Sequence, residues 1–522
     1  MIVFKNATFI SCEDECKVFS VLATNKGRIV YTGDELPQQL EKARQVDLKG
    51  ATVVPAFGDT HLHFESYALF LSTVDVRKAA NFNEMGNLLR DYIKNNPKAK
   101  LLPVFGCTSH CVEEKKLPER ADLDAMLEVP LLMVKYDGHA AVANSALIAQ
   151  FPPDVTNDPG FDAATGWLYL NAFYKGINFV TSSMSPLGML SGMEMAACEL
   201  AKAGIGYLNT VEGVGYKNDI DVDTLRAVQY GLPQKFRIFF QTTDTEKVVR
   251  RKMRHIGGCF SLAIDGCLGS KDAAVSGGYT DEPDNEGFLF LTQQEVNEFC
   301  IGANRLDLQI ALHAIGDVAV ERALDGFEAA LSDHPRDDHR HIIIHADLIP
   351  RALIERAAAM GISIALQPNF LDWPEEPPDY LERILGSRAG ELLPLRDLID
   401  AGVLISAGSD APCTIPNPIE SIYNCCNHPN PAQSVTAEEA LKMHTLWAAK
   451  MCFDDKDRGS LTTGKIADFT VLSGNPLEIP ADELRSIRVT DIYFGGKRFD
   501  PTSKPSLLKL AGRMLAGRLT SN

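Results

Sequence analysis

The 522-residue sequence lacks an apolar run long enough to cross a membrane. Its first stretch, MIVFKNATFISCEDEC, lacks the basic start, apolar core and small-residue cleavage site of a signal peptide. Positive charge is in the minority, since 51 Lys and Arg stand against 69 Asp and Glu, and the net charge is −18. These features disfavour nucleic acid and membranes as partners.

Cysteine is sparse and irregularly placed. The twelve cysteines include Cys12 with Cys16 and Cys107 with Cys111, neither of which has the repeated spacing of zinc-finger ligands. Irregular cysteines of this kind are typical of reduced thiols. We therefore expect a cytoplasmic protein without a disulfide framework.

The chain contains a series of short β-branched and aliphatic runs, which are typical of strands buried on both faces of a parallel sheet. Helix-like stretches such as VAVERALDGFEAAL follow several of them. Eight such runs with intervening helices predict an α/β fold, a (β/α)₈ TIM barrel. The runs cover residues 52–63, 204–213, 236–243, 259–266, 308–317, 341–346, 362–368 and 403–412.

The domain organisation is predicted from the segments that lie outside the barrel runs. The first two runs are separated by roughly four times the length of an ordinary βαβ unit, which predicts an inserted cap subdomain at 75–200. Short alternating runs with glycine turns occur at both ends of the chain. We expect one β-sandwich domain built from residues 1–54 and 456–522, with a C-terminal tail, around a barrel at 55–455.

Polar side chains follow four of the runs at the point where each strand should end. His61 and His63 follow the first, His313 the fifth, His345 the sixth and Asp410 the eighth. One intervening residue aims the first two imidazoles to the same side of a strand. The carboxyl ends of barrel strands meet at the active-site mouth, so the five side chains should converge there.

Convergent nitrogen and carboxylate ligands predict a divalent metal, with Zn²⁺ favoured and Fe²⁺ or Mn²⁺ also compatible. Such an ion lowers the pKa of its water to about 7 and polarises a carbonyl or amidine carbon. Asp410 could carry the water proton to a leaving amine. This chemistry predicts hydrolysis at a carbon–nitrogen bond.

A family resemblance rests on several segments read in order. They are PAFGDTHLH, LPERADLD, YDGHAAVANSAL, DGCLGSKDAA, LHAIGDVAVERALDGFE, IIHADLI, SAGSDAP and GSLTTGKIADFTVLSGNPL. The sequence resembles the amidohydrolase superfamily, and within it the subgroup that includes N-substituted formamide deformylase. The resemblance implies a metal-bearing barrel, a two-ended β-domain and an inserted cap, with the five strand-end residues at the metal and base positions.

One position departs from the family. Relatives often carry a lysine in the fourth strand, which can bridge two metals when carboxylated, and the corresponding residue in this chain is predicted to be Ser261. Glu212, at the end of the second run, could bridge instead, or could belong to a hydrogen-bond network. Alternatively a single ion is held by three of the strand-end histidines and Asp410, and His345 acts on substrate or water.

Three further residues are candidates for contact with substrate. His139 lies in YDGHAAVANSAL within the insertion, although Asn144 and Ser145 in the same motif also signal a helix start. Lys271 and Asp272 follow GCLGS after the fourth run. We expect His139 and Lys271 to face a small-molecule substrate.

Three functions stay open on the sequence. The first is hydrolysis of a non-peptide amide-type bond by metal-activated water, with Asp410 as the proton shuttle and His345 as a second catalytic group. The second is deamination of a nitrogen heterocycle, and the third is a non-catalytic protein that keeps the fold. The sequence leaves open the substrate, the number of ions and whether the protein forms a homo-oligomer.

Overall fold

Eight parallel strands form the central barrel of the computed structural model, which describes residues 1–502 and 506–520. Each strand pairs with the next one along the chain. The predicted α/β barrel is therefore confirmed. The strands are β1 (Phe57–Leu62), β2 (Ile205–Glu212), β3 (Lys235–Phe240), β4 (His255–Ala263), β5 (Gln309–Ala314), β6 (Ile342–His345), β7 (Ser363–Leu366) and β8 (Ile405–Ala407).

The barrel is closed between β8 and β1 mainly by side chains and loop backbone. The Ser406 hydroxyl donates to Thr60 Oγ1 at 2.8 Å, and the backbone N–H of Asp410 donates to the carbonyl of His61 at 2.8 Å. Both ends of the seam are buried. The closure places Asp410, which follows β8, directly beside the end of β1.

Helices surround the barrel and bury an apolar stripe against it. In the helix Asp317–Asp333 the buried Val320, Leu324 and Phe327 recur at the spacing of one helical face. The other helices of this layer and of the segment that follows β8 are Phe64–Leu71, Pro186–Lys202, Ile220–Val228, Thr245–Arg250, Gln293–Asn304, Arg351–Met360, Pro378–Leu385, Leu395–Asp400, Pro418–Cys426, Ala437–Met443 and Leu446–Met451.

The insertion between β1 and β2 contains a separate five-stranded sheet with its own apolar core. The last helix of the predicted 75–200 segment, Pro186–Lys202, packs against Phe64–Leu71 and so belongs to the barrel layer. The strands are Val74–Asp75, Leu102–Cys107, Leu131–Lys135, Ala140–Ala143 and Trp167–Tyr169, and the helices are Phe82–Asn95, Arg120–Met126, Ser145–Ile148, Pro153–Thr156 and Leu170–Ser182.

Both ends of the chain contribute strands to one eight-stranded sheet. Arg44–Pro55 is its junction, because it pairs in parallel with Ile2–Ile10 and antiparallel with Phe469–Leu472. Phe4 packs edge-on against Phe469 with ring centroids 5.0 Å apart, so the two ends share a core. The remaining strands are Val18–Phe19, Val21–Asn25, Arg28–Gly33, Val489–Phe494 and Lys497–Phe499.

The C-terminal segment, expected as a tail, contains the helix Leu507–Thr520. It packs beside the helical layer, where Arg513 Nε donates to the carbonyl of Gly231 at 2.8 Å. Across residues 1–502 and 506–520, no helix has both the length and the apolar character needed to cross a bilayer. All twelve cysteines, which lie within these residues, are free thiols.

Candidate metal centre

The ends of β1 and β8 bring two imidazoles and a carboxylate together. His61 lies near the end of β1, and His63 follows it as the residue before the next helix. Their Nε2 atoms lie 3.1 and 3.3 Å from Oδ1 of Asp410, and all three residues are buried. Because side chains alternate along a strand, both histidines point towards the barrel axis.

The ends of β5 and β6 supply two more imidazoles. His313 and His345 have ring centroids 4.6 Å apart, and the rings of His345 and His61 are 5.4 Å apart. Both are almost fully buried. The five side chains singled out in the sequence therefore lie side by side at one mouth of the barrel.

The backbone is strained at two of these positions. His345 has φ of 76° and Asp410 has φ of 53°, in the left-handed region that non-glycine residues seldom adopt. Strain of this kind persists only where the surrounding structure enforces it, and it is typical of functional sites. In this barrel it turns each side chain towards the centre of the mouth as its strand ends.

Hydrogen bonds orient the two imidazoles of β5 and β6. His345 Nδ1 lies 2.6 Å from Oε1 of Gln367, whose own Nε2 donates to the carbonyl of Ala365 at 3.0 Å. The amide is thereby fixed with its oxygen towards His345. The Nδ1 atom of His345 therefore carries the proton, and its Nε2 atom keeps the lone pair that could bind a metal ion. His313 Nε2 contacts the carbonyl of Gly266 at 3.2 Å, which assigns the proton to Nε2.

Two buried polar atoms in this group have no hydrogen-bond partner, Asp410 Oδ1 and His313 Nδ1. Leaving such atoms unpaired costs about 1–3 kcal/mol each, so they indicate a missing ligand. The 3.1 and 3.3 Å contacts of Asp410 match the separation of about 3.3 Å between nitrogen and oxygen ligands of one tetrahedral Zn²⁺. The donor set therefore fits a divalent ion.

Cys259, on β4, is a ligand candidate that the sequence reasoning missed. Its Sγ lies 3.5 Å from His61 Nε2, and the residue is buried. Ser261, the residue predicted at the lysine position, is exposed and donates to the carbonyl of Gln241 instead. The side chain of Ser261 therefore does not lie with the strand-end histidines and Asp410.

A bulge in β4 explains the difference. The pairing with β5 shifts between Gly258 and Ala263, and Phe260 has φ of 54°. Such a bulge changes which side chains point inwards. The adjacent glycines 257 and 258, both with positive φ, are the sequence signal that could have revealed it.

Glu212 is not brought to the metal ligands. Its carboxylate accepts from the hydroxyl of Thr210 at 2.5 Å and from the backbone N–H of Glu65 at 3.3 Å. Burial, together with the nearby Asp221, raises the pKa of Glu212 well above its usual value. Of its two predicted roles, the structure supports membership of a buried hydrogen-bond network and not bridging.

Of the three residues considered for contact with substrate, His139 lines the cavity, and Lys271 and Asp272 do not. His139 lines the cavity above the ligands, with its ring 5.9 Å from that of His313. Lys271 does not, because its Nζ is held by Asp281 at 2.8 Å and by Glu282 at 2.6 Å. Asp272 accepts from the backbone N–H of Cys267 at 2.7 Å. The expectation that Lys271 faces substrate is therefore not supported.

The electrostatics keep His313 and His345 neutral and Asp410 charged. Burial lowers the pKa of His345 to about 3 and that of His313 well below its usual value. Burial alone would raise the pKa of Asp410, but His61 and His63 outweigh it and hold that pKa well below its usual range. Neutral imidazoles and an ionised carboxylate are the forms that bind a metal.

A cavity lies above these five side chains between the barrel and the cap. None of the described residues that line it is a lysine or an arginine. Of its carboxylates, which are Asp137, Asp347, Glu376 and Asp410, Asp347 is buried and has an unpartnered Oδ1. The phenylalanine, tyrosine and tryptophan side chains of its wall are Phe70, Phe105, Phe173, Tyr174, Tyr216, Phe260, Phe370 and Trp373.

The sequence is similar to curated proteins over nearly its whole length. Protein LONG AFTER FAR-RED 3 of Arabidopsis thaliana is 26% identical over 537 residues, which cover 95% of this chain and 91% of that protein. N-substituted formamide deformylase of Arthrobacter pascens is 23% identical and covers 95% of this chain and 97% of its own length.

The fold is shared with a solved structure of an uncharacterized metal-dependent hydrolase from Pyrococcus horikoshii OT3. Its TM-score is 0.75 at 23% identity, covering 92% of this chain and 99% of that one. A model of the amidohydrolase family matches residues 44–499, which include the barrel, the cap and four of the eight strands of the terminal sheet. The chain therefore belongs to the amidohydrolase family.

Proposed function

We propose that this protein is a metal-dependent hydrolase that cleaves a carbon–nitrogen bond of the non-peptide amide type in a small molecule. The carrying observation is the convergence of four buried histidines and Asp410 at the floor of an apolar cavity. Membership of the amidohydrolase family supports the reaction class. The relative named as an N-substituted formamide deformylase supports the type of bond.

The donor set suits one or two divalent ions. His61, His63, His313, His345 and Asp410 are the residues that would hold them, and Zn²⁺ is the ion favoured by imidazole and carboxylate ligands, with Fe²⁺ or Mn²⁺ as alternatives. When bound, such an ion lowers the pKa of water to about 7 and polarises the bond under attack.

Asp410 is the proposed proton shuttle. Its carboxylate is ionised and reaches into the cavity between His61 and His63. It takes a proton from the attacking water and delivers it to the leaving nitrogen, so that the amine departs neutral. The Gln367 contact holds His345 with Nε2 towards the same space, where it binds or orients the reacting group.

The cavity wall favours a particular class of substrate. Its aromatic side chains suit an apolar substituent on the nitrogen, and the absence of Lys and Arg from the described lining disfavours a substrate carboxylate. The unpartnered Oδ1 of Asp347 would accept from an N–H group or pair with a cation. We therefore propose neutral or cationic amides with an aromatic or apolar N-substituent, with His139 contacting them from the cap.

The test uses Zn²⁺-loaded protein and paired formamides that carry an arylalkyl group on nitrogen. One member of each pair is neutral and the other bears a carboxylate on the ring. We expect release of formate and amine, with kcat/KM at least ~10-fold higher for the neutral member, which corresponds to about 1.4 kcal/mol of discrimination. N-methylformamide, which has no phenyl ring, is the control for the contribution of the aromatic wall to substrate binding.

Deamination is the alternative that the same assay must separate. Aminopyrimidines and aminotriazines would release ammonia, whereas the formamides release a substituted amine. Ammonia release from the heterocycles, with no turnover of any amide by metal-loaded protein, would overturn the proposed function.

A further inference from the structure

Cys259 belongs to two groups of ligand atoms at the barrel mouth. Its Sγ forms one group with ring nitrogens of His61 and His63, and a second with ring nitrogens of His313 and His345. Within each group the ligand atoms lie within 4.8 Å of one another, and every member is buried. The thiol is therefore common to the two pairs of histidines.

The distances at Cys259 suit a sulfur ligand. Zn²⁺ bonds of about 2.3 Å to sulfur and 2.0–2.1 Å to nitrogen, at a tetrahedral angle, separate the two donor atoms by about 3.6 Å. The observed separation of Cys259 Sγ from His61 Nε2 is 3.5 Å. An ion bonded to both atoms would fit this separation.

Other residues do not fill this position. Glu212 is held by Thr210 and by the backbone of Glu65, and Ser261, which lies within the bulge, is exposed. Cys413 is equally buried in the wall of the same cavity but belongs to neither ligand group. Burial in the cavity wall is therefore not what distinguishes Cys259.

The geometry points to Cys259 as a thiolate bridge between two divalent ions, one held with His61, His63 and Asp410 and the other with His313 and His345. This inference rests on the metal centre of the proposed function. On binding, the S–H bond breaks, the proton passes to solvent, and the sulfur forms one bond to each ion. A soft bridging sulfur favours Zn²⁺ or Co²⁺ over Mn²⁺.

The test replaces the metal by Co²⁺, whose bond to a thiolate gives a charge-transfer absorption in the near ultraviolet. Metal-free full-length protein is titrated with Co²⁺, and bound metal is counted after gel filtration. The variants are Cys259→Ser and, as the matched control, Cys413→Ser. Circular dichroism establishes that each variant is folded.

We expect the unmodified protein and Cys413→Ser to bind two Co²⁺ per chain and to show the absorption. Cys259→Ser should lose the absorption and at least half of the bound metal. The inference would be overturned by unmodified protein that binds Co²⁺ without the absorption, a result that needs no variant to fold and leaves the proposed function standing. It would equally be overturned by Cys259→Ser that keeps both ions and the absorption.

Failure of the proposed function has a different signature. Protein that shows the absorption and two ions but hydrolyses none of the formamides supports the cysteine bridge and contradicts the hydrolase assignment. Protein that binds no divalent ion contradicts both.

Discussion

Replacing Asp410 by Asn separates its part in proton transfer from its part in the fold. The backbone N–H of Asp410 donates to His61 and its carbonyl accepts from the N–H of Cys413, both at 2.8 Å, so the loop is held by main-chain bonds that the variant keeps. The amide retains the shape and a weak oxygen ligand but cannot accept a proton. We therefore expect a loss in turnover with little loss of stability.

The size of the loss follows from the role. General acid–base catalysis contributes about 10²–10⁴-fold, so kcat should fall by at least ~10²-fold, or about 2.7 kcal/mol in the barrier. Because the cavity wall that binds the substrate is unchanged, KM should change much less than kcat. The loss therefore belongs mainly to the chemical step.

The assay must compare the proteins at equal metal content, because metal lost from the variant would imitate a lost base. Metal is measured in the same samples in which formamide turnover is followed, and the unfolding midpoint in urea is the check on stability. Wild-type kcat in fully loaded Asp410→Asn would refute the shuttle role. The proton acceptor would then have to be His345.

Three further predictions concern positioning, packing and pH. Gln367→Leu removes the acceptor for His345 Nδ1, and divalent-metal affinity in competition with a chelator should fall ~10–100-fold. Gly257→Ala should lower the unfolding free energy by more than ~3 kcal/mol, because its φ is +111° and a Cβ would lie 1.9 Å from the carbonyl oxygen of Ala311. Burial lowers the pKa of His444 to about 4, against about 6.5 when unfolded, so the unfolded state binds more protons between these values. Stability measured in urea should therefore be full above pH 6.5 and fall as the pH drops towards 4, with ~2 kcal/mol from this residue at pH 5.

Each of these has a control. Gln367→Glu keeps the acceptor and should keep the affinity, and equal affinity for the Leu variant would contradict the positioning role. Gly302→Ala, in the helix Gln293–Asn304, meets no atom within 4 Å and should be neutral or stabilising. A Gly257→Ala protein as stable as that control would contradict the packing argument. His444→Gln should flatten the pH dependence, and an unchanged slope would show that His444 makes no such contribution.

The strand-end ligands were predictable because their signal is local. His61 and His63 follow an apolar run at the two-residue period of a strand, and His313, His345 and Asp410 end later runs. A parallel barrel necessarily gathers such ends at one mouth. The barrel fold and the convergence of these five side chains could therefore be inferred from the sequence.

The residues that were misplaced depend on contacts distant in the chain. Lys271 was expected to face substrate, but it pairs with Asp281 and Glu282, which no strand pattern reveals. Glu212 ends a strand as the predicted ligands do, yet its carboxylate accepts from the hydroxyl of Thr210 and the backbone N–H of Glu65 instead. Position at a strand end was therefore necessary for a ligand but not sufficient.

The sequence by itself determined the barrel, the shared terminal sheet and the group of four histidines and Asp410, because hydrophobic period and strand order are properties of the chain alone. Only the tertiary structure decided that Cys259 rather than Ser261 faces the ligands. The reason is physical: a bulge between Gly258 and Ala263 shifts the register of one strand against its neighbour, and register is a property of two paired strands. Residues 259–262 have no partners in this ladder, so the alternation of side chains along a strand no longer decides which of them points inwards, and the pattern of apolar residues does not show this break.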